Sequence, residues 1–130
     1  MKKDPLFLII HIKECITCIR QYIKGLHKTA FSKDSQVQDA IIRRLEIIGE
    51  AAKQVPEKMR RDHPSIPWSK MAKFRDLAIH HYENLDCDHI WNIAKRDIPS
   101  LEKEIDEILD EHEYDPETYK APSSLLRETR

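Results

Sequence analysis

The chain has 130 residues, 40% of them apolar and 35% charged, with only two glycines and a formal net charge of −1. That is enough for one domain with its own core, and it excludes a disordered, collagen-like or disulfide-stapled chain. Three cysteines form no even framework, which argues against a secreted scaffold.

The start, MKKDPLFLIIHIKEC, is broken by charges too early for a signal peptide or a membrane span. It reads as cytoplasmic and as the first helix, from about Pro5 to Leu26. Leu8, Ile9, Ile12, Ile16, Ile19 and Ile23 recur at three- and four-residue steps there. Gly25 weakens its end. FSKDS reads as a loop. Ser35 with Gln38 fits a capping box that opens the second helix, VQDAIIRRLEIIGEAAKQV. Gly49 inside that helix is costly unless another helix packs closely against it. Pro56 opens a short helix to about Asp62, and HPSIP is a turn. PWSKMAKFRDLAIHHYEN is the next helix, with Pro67 in its first turn. Asp86 or Asp88 caps a helix through Lys95, Pro99 marks a bend or restart, and LEKEIDEILDEHE is a last amphipathic helix. Pro116 and Pro122 make the end a loose tail. The fold class is all-α, an up-and-down bundle of four to five helices over 1–114, with a flexible tail at 115–130.

Charge is unevenly spread. Between Ile41 and Arg75 nine Lys and Arg face four acids, whereas Leu101 to Tyr119 holds nine acids and one lysine. The middle can therefore carry a basic patch of the kind that phosphate contacts need. Arg60, Arg61, Lys70 and Lys73 flank the most polar segment, FRDLAIHHY, and are the candidates for those contacts. The plainer reading is two solvated helix faces.

Projected at about 100° per residue, Met71, Phe74, Leu77, Ala78 and His81 share an apolar face, and Arg75, Asp76, His80 and Glu83 share a polar one. Tyr82 falls on the seam beside Arg75. His80 is therefore the functional histidine and His81 a packed one. Asp76 and His80 stand four apart, so the carboxylate can hold the imidazole. Arg75 and His80 are about 7.5 Å apart along the axis, a gap that a phosphodiester can span. A histidine can move the proton of a ribose 2′-hydroxyl attacking its own phosphate. An arginine can grip the phosphate oxygens as charge develops. No metal or other cofactor is needed. The bland alternative is a surface ion-pair cluster.

RDLAIHHY resembles the R-x4-H-x-Y motif of HepT-like proteins in the HEPN superfamily. AIIRRLEIIGEAAKQVP, IPWSKMAKFRDLAIHHY and IWNIAKRDIPSLEKEI extend the likeness over most of residues 37 to 105. The resemblance implies a homodimer in which two motifs meet and a metal-independent endoribonuclease toxin with Arg75 and His80 as its catalytic pair. It also implies a minimal nucleotidyltransferase antitoxin that places AMP on Tyr82. Asp76 and Glu50, the latter in IGEA, are supporting candidates. A different class stays open: a non-catalytic module that docks and regulates a nucleotidyltransferase. Cys15 and Cys18, with His11 on the same stripe, supply three possible ligands on one helix where structural zinc takes four, commonly from separate elements. They are set aside as packing residues, as are Cys87, Trp68 and Trp91.

Overall fold

The computed structural model describes residues 4–118, and all regular structure among them is helical. Four long helices form the bundle: α1 (Pro5–Ile23), α3 (Ser35–Gln54), α5 (Trp68–His80) and α7 (Ile98–Glu111). Short helices α2 (Lys28–Ser32), α4 (Glu57–Asp62) and α6 (Cys87–Asn92) connect them.

α1 starts where Pro5 supplies a preset φ and the Asp4 carboxylate accepts from the Leu6 N–H at 2.9 Å. It stops at Ile23, three residues earlier than the periodicity predicts, because Gly25 takes φ +72° and turns the chain. The stretch read as a loop contains α2, whose Phe31 is fully buried against Trp91, ring centres 5.1 Å apart. α3 is capped one residue before the predicted Ser35. Asp34 accepts from the Val37 N–H at 3.1 Å, and the Gln38 amide reaches back to the Phe31 carbonyl at 2.8 Å.

Ile9, Ile12, Ile16 and Ile19 of α1 meet Ile41 of α3 and Ile105 and Ile108 of α7 in one core, all wholly buried. Burying each such side chain contributes about 1.5–3 kcal/mol. α6 passes into α7 through a π-helical stretch, Ile93–Asp97. Pro99 has no N–H and its ring would strike the carbonyl four residues back. The wider turn takes up that clash, so the predicted restart is a change of pitch instead. The acidic α7 is neutralised along α1: Lys13 bonds Glu102 at 2.9 Å and Asp106 at 2.8 Å, and Arg20 also pairs with Glu102. These contacts run in opposite order along the two helices, so α1 and α7 are antiparallel. No helix among the described residues is long and apolar enough to cross a membrane. Most of the predicted tail, residues 119–130, lies outside the described residues.

Candidate functional site

Trp68 anchors the start of α5. It is buried, and its indole N–H donates to the His63 carbonyl at 3.0 Å. α5 then crosses α3 at Gly49. A Cβ on Gly49 would sit 2.5 Å from both the Arg75 Cβ and the Met71 carbonyl oxygen. The glycine that looked costly within a helix is thus the place where the second helix comes in.

That crossing sets Arg75. Its Nε meets Glu50 at 2.9 Å, and its Nη1 meets Asp76 at 3.1 Å. Asp76 also takes Lys53 Nζ at 3.3 Å. The Arg75 hydrogen bond, then that of Lys53, holds the Asp76 carboxyl below the usual carboxylate range. Glu50 braces the arginine as predicted of it, from a half-exposed position rather than a buried one. Asp76 does not hold His80. Its oxygen is engaged by Arg75 and Lys53, and no bond joins it to the imidazole among the described residues.

α5 ends at His80, short of the predicted Asn84. His81 leaves the helix at φ −137°, ψ 42°, its N–H still bonded to the Leu77 carbonyl, and Tyr82–Asn84 forms a 3₁₀ turn. A wheel drawn past His80 therefore misplaces two residues. His81 is exposed rather than packed. Tyr82 does not lie against Arg75: its hydroxyl donates to Asp39 on α3. Asp39 precedes Glu50 by eleven residues, about 16 Å of helix. The Asp39 hydrogen bond, then burial, then the charges of Asp39 and Glu46 push the Tyr82 phenol upward. Asp39 was not singled out in the sequence, since nothing local links it to a tyrosine 43 positions away.

His80 itself is exposed, at the last turn of α5. Around it the large apolar side chains Leu77, Ile79 and Tyr82 are 41%, 46% and 46% exposed. Of the four proposed phosphate contacts, Lys70 and Lys73 stand exposed on α5 without an ion-pair partner among the described residues. Arg61 leans on Glu57 at 3.7 Å. Arg60 is drawn inward, its Nε donating to the Val55 carbonyl at 2.9 Å at the end of α3. The four do not form one patch with the motif.

Away from this face, burial pushes the Cys15 thiol up to about 11 against an opposing Arg44 hydrogen bond, which makes it a poor nucleophile at neutral pH. Among the described residues no three His, Cys, Asp or Glu side chains converge on a metal position. An open groove of about 610 Å³ between α1 and the π-helical stretch, lined in part by Arg20, Lys24, Lys95 and Glu102, lies apart from the motif.

Residues 12–108 match the family model described as ribonuclease HepT-like. The chain is 39% identical over 108 residues to a Thermococcus cleftensis protein named a probable ribonuclease HepT, an alignment covering 83% of this chain and 98% of the relative. It is 40% identical over 111 residues to a Methanocaldococcus jannaschii protein whose name pairs a gamma-glutamylcyclotransferase with an RNase. There the alignment covers 85% of this chain but only 50% of the relative. No solved structure matches the chain.

Proposed function

The chain belongs to the HepT-like ribonuclease family, and on that premise we propose that it is a metal-independent endoribonuclease toxin of the cytoplasm. The observation that carries this reading is the placement of Arg75 and His80. The arginine is held at a helix crossing by Glu50 and Asp76, and the histidine is free to meet solvent five residues on. In a bound RNA, Arg75 grips the phosphate oxygens. His80 takes the 2′-hydroxyl proton as that oxygen attacks the phosphorus, or delivers a proton to the leaving oxygen. A second copy of the chain supplies the other half of the cleft. The exposed Leu77, Ile79 and Tyr82 favour this, being an apolar cluster beside the motif. Tyr82, exposed and with a free-standing ring on a turn, is the acceptor for AMP from a minimal nucleotidyltransferase antitoxin.

The test is RNA cleavage in excess chelator by wild type, His80→Ala and His81→Ala. Cleavage by wild type and His81→Ala, with loss in His80→Ala, is the expected pattern. Cleavage that survives His80→Ala puts the chemistry elsewhere. An inactive wild type whose Tyr82 carries no AMP by mass spectrometry favours a docking module for the transferase instead.

A further inference from the structure

Tyr82 is presented by a 3₁₀ turn and not by α5, and that turn aims its hydroxyl at α3. The phenol O–H donates to the Asp39 carboxylate, while the guanidinium of Arg75 is engaged about 16 Å further along α3 by Glu50. In the unmodified chain the tyrosine oxygen therefore rests against a base. We propose that Asp39 is the proton acceptor for covalent modification of Tyr82, an inference that rests on the reading of Tyr82 as a nucleotidyl acceptor.

The chemistry requires such a group. A phenol holds its proton at neutral pH and attacks phosphorus well only as that proton leaves. Tyr82 Oη attacks the α-phosphorus of a nucleoside triphosphate held by the transferase. The new O–P bond forms as the bond from that phosphorus to its bridging oxygen breaks. Pyrophosphate departs, and the phenolic proton passes to Asp39 and on to water. The modified chain thus supplies its own base, and the transferase need only bring the nucleotide.

From α3 the phenol is faced by Asp39 and Glu46, the latter paired with Arg43 at 3.2 Å. His81 and Glu83 flank Tyr82 on its own segment. The two carboxylates on α3 disfavour a standing phenolate, while one of them can take the proton during attack. These opposite effects give a signature that a purely structural contact lacks.

The experiment is labelling of the full chain with benzenesulfonyl fluoride, an electrophile that loses fluoride to a phenol, with the rate at Tyr82 read by mass spectrometry. At neutral pH Asp39→Asn is expected to label Tyr82 slower by about tenfold or more. Above pH about 10 the order reverses, because removing the carboxylate lets the phenolate form sooner. Asp39→Glu, which keeps a base, restores most of the neutral rate. Tyr22, half-buried and bonded to Arg44, serves as the reference for folding. Neutral labelling of Asp39→Asn equal to or faster than wild type, at unchanged Tyr22 labelling, overturns the assignment, as does an Asp39→Glu rate as low as that of Asp39→Asn. The probe needs neither RNA nor a transferase. A wild type that leaves RNA intact fails the ribonuclease reading by itself, and the labelling ratio still decides Asp39.

Discussion

The α1–α7 seam and the α3–α5 seam both carry networks of carboxylates and cations, on different foundations. α1 buries eight residues and α7 five, so the Lys13, Arg20, Glu102 and Asp106 cluster decorates a seam already closed by isoleucine. In α5 only Trp68 and Ala78 are buried, and the helix leans on α3 through the bare backbone at Gly49. There the Glu50–Arg75–Asp76 chain fixes where a guanidinium points more than it holds two helices together. The same kind of ion pair serves stability in one place and aim in the other, and what lies under it decides which.

That contrast can be broken or sharpened by four measurements. Ile16→Ala strikes the apolar seam. It is expected to cost about 2–5 kcal/mol in chemical denaturation and to leave RNA cleavage per folded molecule unchanged. Gly49→Val strikes the crossing. The added atoms meet Met71 and Arg75, so a loss of about 1–3 kcal/mol should come with loss of cleavage even at temperatures where the variant is folded. Glu50→Gln removes the brace alone. Stability should move by less than about 1 kcal/mol, while misplacing the arginine lowers kcat by about tenfold to a hundredfold. A Glu50→Gln protein that is unstable yet fully active would merge the two seams into one class.

The smallest effect is acid lability. Burial pushes the Glu102 carboxyl up, but its hydrogen bonds to Lys13 and Arg20 win and leave it below the usual range. Asp76 is lowered by Arg75 and Lys53. A carboxylate with a depressed folded pKa contributes stability that is complete above its unfolded value and fades as pH falls through the folded one. Wild type should therefore lose stability below about pH 4. Glu102→Gln should flatten that loss more than Asp76→Asn, because Glu102 is the better shielded from solvent.

Much of this was legible in one sequence. The isoleucine spacing of α1, the proline at the start of α5 and the need for a close neighbour at Gly49 all follow from local rules. The end of α5 does not. Neither glycine nor proline follows His80, and the apolar period runs on through His81 and Tyr82, so nothing local marks the stop. The choice of Asp34 over Ser35 as a cap shifts the boundary by one residue between two good capping types. Asp39 was illegible for another reason. Its partner reaches it only once α3 and α5 are antiparallel, which is a property of the packed bundle.

The π-helical stretch before Pro99 bears on length changes in the chain. Its hydrogen bonds each span one residue more than those of an α-helix, as the Ile98 N–H to the Ile93 carbonyl does. Deleting one residue from Ile93–Asp97 would return the run to ordinary pitch and rotate everything after it by about 100°. Glu102 would swing off Lys13 and Arg20, and Ile105 would turn out of the core. The register of α7 is thus set by a single surplus residue, and a one-codon deletion there should be far less tolerated than one in the exposed link from α5 to α6.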